Sequence, residues 1–305
     1  MEKTLKEIGE IGLIERIAKQ SRCDRSVIKG IGDDTAVIKW TKDKYLLFTC
    51  DMMIEDVHFA RRKATPFQIG WKALGRNISD IAAMGGVARY ALVSIGLDPD
   101  LPLSFADGIL EGINALAKKF KVNIVGGDTA RSKKLVIDIS LIGEVEKERL
   151  ALRSGAKCGD AIFVTGFIGG SGKGKHLDFT PRLDAARALV KNFKVNSMID
   201  VSDGLLLDLW RVLEASGAGA VVYEDLVPVS KDARSTAKAM TDGEDFELLF
   251  TLGAKEAERF MRSYLKKLDI PVSLIGEVVP KKYGYRLIGN DWKEKRITRK
   301  GYTHF

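Results

Sequence analysis

Apolar residues recur every three or four positions at the start of the chain, at Leu5, Ile8, Ile11, Ile14 and Ile17, which is the spacing of one helical face. The pattern predicts a helix over residues 4–20 that caps a sheet or borders a dimer surface. Two β-rich runs follow, Ala36 to Trp40 and Tyr45 to Cys50. The turn-forming Thr41-Lys42-Asp43-Lys44 parts them, so they read as a hairpin with Asp51 at the exit of its second strand. Helical spacing returns after Pro66, tolerated in a first turn, and stops at Gly85-Gly86, predicting a helix over about 66–84. Trp71, Leu74, Ile78, Ile81 and Ala82 form its apolar stripe, while Arg76, Asn77 and Asp80 lie on another face.

From Val87 to Leu97 the chain reads as strand, from Leu103 to Lys119 as helix, from Val122 to Val125 as a short strand, and from Leu135 to Val145 as strand. The charged stretch Glu146-Lys147-Glu148-Arg149 suits a join between domains, predicted as 1–147 and 148–305. The second half repeats the logic. Strands are expected at Ala161 to Thr165, Ala220 to Tyr223, Glu247 to Thr251 and Val272 to Val279, with helices at Pro181 to Val190, Gly204 to Ser216 and Ala254 to Leu268. Alternating strands and helices give an α/β or α+β class, and the hairpin argues against a purely parallel sheet.

Length agrees with two domains, since 305 residues exceed the roughly 100–200 of one. Apolar runs fall short of the roughly 20 residues of a spanning helix, and Met1-Glu2-Lys3-Thr4 leads into an amphipathic run rather than a signal-peptide core, so an unexported cytoplasmic protein is expected. Cys23, Cys50 and Cys158 are widely spaced without a Cys-x-x-Cys pair, which suggests neither a disulfide framework nor a zinc site. The net charge is +8, but residues 281–300 hold eight Lys and Arg against two acidic residues, so most of the excess lies in one segment. Such a segment could bind polyanions; a solvated surface is the commoner use.

The candidate chemistry lies in acidic residues that end apolar runs beside Gly, Ser or Thr: Gly32-Asp33-Asp34-Thr35, Thr49-Cys50-Asp51, Asn77-Ile78-Ser79-Asp80, Gly126-Gly127-Asp128-Thr129, Asp200-Val201-Ser202-Asp203-Gly204 and, more loosely, Asp242-Gly243-Glu244-Asp245. Any one could be a turn or a helix cap, and Asp80 could simply pair with Arg76 one turn back. Their recurrence points instead to carboxylates converging on Mg²⁺, which takes oxygen ligands and is usually shared with substrate phosphates. The run Gly169-Gly170-Ser171-Gly172-Lys173-Gly174-Lys175-His176 nearly meets a phosphate-loop pattern. His176 stands where the metal-ligating hydroxyl would be, so it reads as a lid or connector. Three rings in Tyr302-Thr303-His304-Phe305 suggest a docked terminus.

At these residues the sequence resembles the thiamine-monophosphate kinase family, within the ATP-binding superfamily of aminoimidazole ribonucleotide synthetase and selenophosphate synthetase. The matching segments include Gly30-Ile31-Gly32-Asp33-Asp34, His58-Phe59, Asn77-Ile78-Ser79-Asp80, Gly126-Gly127-Asp128-Thr129, Asp200-Val201-Ser202-Asp203-Gly204, Gly243-Glu244-Asp245 and the terminal aromatic run. The resemblance implies an aminoimidazole-ribonucleotide-synthetase-like fold, with an N-terminal mixed sheet that dimerises and a C-terminal α/β domain. It implies ATP-dependent phosphorylation of thiamine monophosphate to thiamine diphosphate, with ATP as co-substrate and several Mg²⁺ ions.

By the same carry-over, metal binding falls to Asp34, Thr49, Cys50, Asp51, Asp80, Asp128, Asp200 and Asp203, with Cys50 able to serve only through its carbonyl. Asp51, Asp128 and Asp203 would be the catalytic carboxylates. Gly127, Asp128, Arg153 and Ser202 would contact ATP, and His58, Glu244 and Tyr302 the acceptor. The implied partners are the two substrates and a second copy of the chain, with no nucleic acid and no membrane.

The attacking group would already be an anionic phosphate oxygen. No strong base and no covalent phosphoenzyme are therefore expected. Two other readings are open at this point: a cyclase or selenium-activating enzyme of the same superfamily, and a basic nucleic-acid-binding module using residues 281–300.

Overall fold

The computed structural model describes residues 3–305 except Asn290 and Thr298. The first half holds α1 (Leu5–Gln20), β1 (Val27–Lys29), β2 (Ala36–Lys39), β3 (Lys44–Ile54), α2 (Pro66–Ala83), β4 (Val87–Leu97), α3 (Leu103–Phe120), β5 (Asn123–Arg131) and β6 (Val136–Glu146). The second holds β7 (Ala161–Thr165), α4 (Lys175–Asp178), α5 (Leu183–Asn192), β8 (Val195–Asp200), α6 (Leu205–Ser216), β9 (Ala218–Tyr223), α7 (Thr236–Ala239), β10 (Leu248–Leu252), α8 (Ala254–Ser263), β11 (Val272–Pro280), β12 (Tyr285–Ile288) and β13 (Glu294–Arg296).

Each half builds one sheet, in the orders β1-β2-β3-β6-β4-β5 and β13-β12-β9-β11-β7-β10-β8. The β2–β3 hairpin forms as expected, but β3 runs on to Ile54 in register with β6, so Asp51 lies within the strand rather than at its exit; each sheet has one parallel pair, β4 with β5 and β9 with β12. Both sheets are therefore mixed. Four strands went unpredicted, β1, β8, β12 and β13. Of these β8, Val-Asn-Ser-Met-Ile-Asp, matters most here: it pairs with β10 and delivers Asp200 at its end.

Alternation along β7 explains how the halves join. Phe163 faces a core that runs from the first sheet through α2 and α5, whereas Ile162 and Val164 face a second core beneath α6. In the first core Phe163, Phe250 and Phe260 lie 5.3–5.9 Å apart between ring centroids.

Helix α2 lies at the centre, and its start is specified locally: Thr65 and Gln68 form a capping box, with Pro66 at the first helical position. The helix is buried on more than its apolar stripe, since Lys72, Asn77 and Ser79 are also buried. It crosses α3 at two glycines that let the backbones touch. A Cβ on Gly70 would lie 1.9 Å from the Ile109 carbonyl oxygen, and one on Gly112 would lie 2.0 Å from that of Phe67. Helix α1 has no buried residue, and Gly9 breaks it with φ 66°.

Candidate active site

Strand periodicity sets one wall of the site. Thr49 and Asp51 on β3 point toward α2, where the Thr49 hydroxyl donates to Asp80 at 2.5 Å and Arg76 donates to Asp51 at 3.1 Å. Arg76 thus pairs with Asp51 rather than with Asp80. Asp200 arrives from β8 and accepts a 2.6 Å bond from Ser79. Asp34 follows the left-handed Gly32 (φ 112°) and accepts a 2.6 Å bond from Arg153.

Oxygens of Asp34, Asp80 and Asp200 all lie within 4.8 Å of one another. One oxygen each of Asp33 and Asp34 is buried without a hydrogen bond, that of Asp33 lying 3.7 Å from the Lys29 ammonium. Burial, then the neighbouring carboxylates, push Asp80 and Asp200 well above the ordinary aspartate range, and burial with Asp34 takes Asp33 up to about 6. Orphaned anionic oxygens that repel one another are the donor set a hard divalent cation needs.

The cluster opens into a cleft of about 1040 Å³. Its far wall is the loop Asp200 to Gly204, which the helix after it holds in place. Asp208 accepts from the backbone N–H groups of Ser202 and Asp203, both at 3.0 Å, and Arg211 bridges Asp208 and Asp203 at 2.7 Å each. The Gly-Glu-Asp segment lies along that loop, with Glu244 N–H donating to the Ser202 carbonyl at 2.7 Å. Glu244 and Phe246 both take left-handed backbone angles, φ 65° and 51°. Burial works to raise the Glu244 carboxyl, but His176 and Lys72 beside it overcome that and hold it at about 2.

His58 is fixed by its backbone: the Ile54 N–H donates to Nδ1 at 3.0 Å, which leaves the proton on Nε2. Burial, then Arg76, draws its pKa down to about 4, so the ring is neutral near pH 7. The end of the chain is docked as expected, with Tyr302 N–H donating to the Asp203 carbonyl and His304 N–H to Glu10, both at 2.9 Å.

Of the residues singled out in sequence, Asp34, Thr49, Cys50, Asp51, Asp80 and Asp200 line the cleft on one side. His58, Arg153, Ser202, Asp203, Glu244 and Tyr302 line it on others. Gly127 and Asp128 do not line the cleft of a single chain, and the sheet register gives the reason. Asp128 opposes Ser94, Ser94 opposes Asp138, and the Asp138 carboxylate meets the Cys50 thiol at 3.3 Å on the face turned away from α2. Gly127 is needed for strand contact, since a Cβ there would lie 1.7 Å from the Val93 carbonyl oxygen.

Sequence reasoning missed Lys72, Asp208 and Arg211, and gave Ser79 no role of its own within its motif. Asp208, an acid in a first turn after a Ser-Asp-Gly loop, did carry a signal as a cap for that loop's N–H groups.

The charge balance gives a pH test. Asp33 and Asp245 at about 6 and Asp208 at about 7 lie above the ordinary value, so each costs stability as pH rises through the range from about 4 to its folded value. His58 opposes them, because its lowered value favours unfolding below about pH 6.5. Glu146 and Glu244, at about 2, stay charged throughout. Cation-free protein should therefore melt at a higher temperature at about pH 5.5 than at about pH 7.5, and saturating Mg²⁺ should flatten that slope. Calorimetry across the range checks both; a Tm that rises with pH contradicts the reading.

The chain matches the AIR synthase related protein N-terminal domain over residues 32–145 and the corresponding C-terminal domain over residues 157–288. It is 35% identical to the thiamine-monophosphate kinase of Bacillus subtilis, over 98% of this chain and 100% of that one. It is 37% identical to that of Rhodopirellula baltica, over 91% and 92%. Among solved structures it superposes on AaThiL complexed with AMPPCP and TMP with a TM-score of 0.85 and 31% identity over the whole of both chains. Hydrogenase maturation protein HypE in complex with ATP shares the fold at 19% identity, covers 95% of each chain and has a TM-score of 0.73.

Proposed function

The chain belongs to the thiamine-monophosphate kinase family, and from that premise we infer how its cleft carries out ATP-dependent phosphorylation of thiamine monophosphate to thiamine diphosphate. The observation that carries the reading is the convergence of Asp34, Asp80 and Asp200 within 4.8 Å at the wall of a large cleft.

Mg²⁺ fits those residues, because a buried oxygen of Asp34 lacks a hydrogen bond and Asp33, Asp34, Asp51, Asp80 and Asp200 together hold more negative charge than Lys29, Arg76 and Arg153 neutralise. Asp34, Asp80 and Asp200 would hold it, with Asp51, Asp203 and Thr49 adjoining. Bound there, Mg²⁺ would supply the positive charge that offsets the repulsion between two polyanionic substrates.

The chain's own groups do the positioning. His58 presents a neutral Nε2–H, suited to donate to a phosphate oxygen. With Nδ1 occupied by Ile54, it has no free lone pair for a nucleophile or base. Glu244 stays anionic and offers a counter-charge to the cationic thiazolium. Arg153 and Ser202 would meet ATP, and Tyr302 the acceptor. Transfer is direct and in line, without a phosphoenzyme.

Incubating the protein with Mg-ATP and either thiamine monophosphate or thiamine, with products identified by mass, tests the reading. Thiamine diphosphate and ADP from the monophosphate alone are expected. ATP binding with neither acceptor reacting would remove the substrate assignment.

The same reading makes the chain a cytoplasmic homodimer with a domain boundary at residues 147/148. Phe48, Met52, Tyr90 and Leu92 support the dimer: they share the outward sheet face and are each 43–50% exposed. Asp128 lies on that face, so a second copy packed there would cover it. Leu92→Glu should give a monomer by sedimentation velocity; an unchanged sedimentation coefficient would move the interface elsewhere.

The cations of this basic segment belong to the solvated surface in this reading. Arg286 pairs with Glu294, Lys293 pairs with Asp291, and Lys282 and Arg286 lie over the Tyr283 ring. Among the described residues no helix is long and apolar enough to cross a membrane.

A further inference from the structure

Lys72 enters above only as the cation beside Glu244, yet its side chain is completely buried. A lysine without exposure must find partners for all three of its N–H groups. Here it finds them on three separate segments. The ammonium lies 2.6 Å from the His58 carbonyl oxygen, 2.6 Å from Glu244 Oε1 and 2.7 Å from His176 Nδ1. His176 Nδ1 is itself 3.0 Å from Glu244 Oε2; accepting from the ammonium, it has no proton to donate there, so the link between His176 and Glu244 runs through Lys72.

Two of these contacts reach segments already read as acceptor-side, the His58 loop and the Gly-Glu-Asp loop. The third reaches α4, the end of the glycine-rich run. That run is pinned elsewhere as well. Gly169 N–H and the Ser171 hydroxyl donate to Asp245, Trp71 donates to the Phe179 carbonyl at 2.6 Å, and Gln68 donates to Asp178 at 2.9 Å. Between those pins, Gly172 and Lys173 face the cleft, and His176 links this stretch to Lys72 and through it to Glu244.

We propose that Lys72 is a positioning residue for thiamine monophosphate: by bonding Glu244, the His58 carbonyl and His176 at once, it ties the glycine-rich loop to the groups that face the acceptor. The proposal rests on the assignment of Glu244 and His58 to the acceptor side. It adds a residue from α2, the helix that also carries Asp80, so acceptor and metal cluster share one rigid support. The unusual backbone of Glu244 makes the tie necessary, because a left-handed loop residue with a cleft-facing side chain has many orientations and the ammonium selects one.

Lys72→Met keeps the length of the side chain and removes the charge. The variant should raise KM for thiamine monophosphate at least tenfold while KM for ATP stays within twofold, a split that general destabilisation would not produce. Tryptic cleavage at Lys173 and Lys175 in the substrate-free protein should become at least fivefold faster. Unchanged KM for the acceptor with unchanged cleavage, or a proportional rise of both KM values, overturns the proposal. If Lys72→Met does not fold, His176→Ala decides: faster cleavage with a threefold or larger rise in acceptor KM supports the tie, and unchanged cleavage removes it. Glu244→Gln separates the two readings. If it leaves acceptor KM unchanged, the acceptor-side assignment falls, while loop cleavage in Lys72→Met still tests the tie itself.

Discussion

Asp80→Asn should lower kcat by roughly a hundred- to a thousandfold and, in the same protein, raise the melting temperature measured without divalent cation. The two effects share a cause. Asp80 is half-buried among Asp51, Asp200 and Asp34, so its negative charge is a burden on the empty fold and an asset only when a cation is held there. Asparagine keeps the shape and the bond from Thr49 while removing the charge. ADP release measured against the wild type, together with calorimetry in chelator, checks both halves. Activity within tenfold of wild type would dissociate Asp80 from the metal, and a lowered Tm would show that the carboxylate supports the fold rather than straining it.

Glu247→Ala should cost about 3–5 kcal/mol of stability, the largest structural effect expected of a single change here. Glu247 is fully buried, receives two 2.6 Å bonds from Arg182, and takes a further 2.7 Å bond from Thr165 at the end of β7. Removing it leaves a partly buried guanidinium without its partner and frees the start of α5. Urea denaturation gives the number. Because the penalty comes from the orphaned charge, Glu247→Leu with Arg182→Leu should recover most of the loss. A single variant within about 1 kcal/mol of wild type would mean that water satisfies the guanidinium in place of the carboxylate.

Much of this site is legible in the chain because strand and helix periods place side chains before any contact is known. Alternation on β3 already puts Thr49 and Asp51 on one face and Cys50 on the other. The interval from the apolar stripe of α2 to Asp80 fixes which way that carboxylate leaves the helix. What stays hidden is burial imposed from far along the sequence. Lys72 and Arg76 on a helix read as solvent-facing charges; His176 and Glu244, more than a hundred residues away in sequence, cover the first, and Asp51 meets the second. β8 lacks alternation because it is covered on both faces, so no period marks it. Asp128 shows the limit most sharply. A short motif names the residue, but its direction depends on the register of β5 against β4, which two adjacent glycines do not encode.

The crossing of α2 and α3 has an evolutionary consequence. Gly70 contacts the backbone of α3, yet it rides on the helix that carries Asp80 about 15 Å further along. A methyl group at Gly70 would lift α2 from its seat and carry every group on it. Inheritance should therefore guard this glycine as strictly as the carboxylates, and a ranking of positions by distance from the substrates would overlook it.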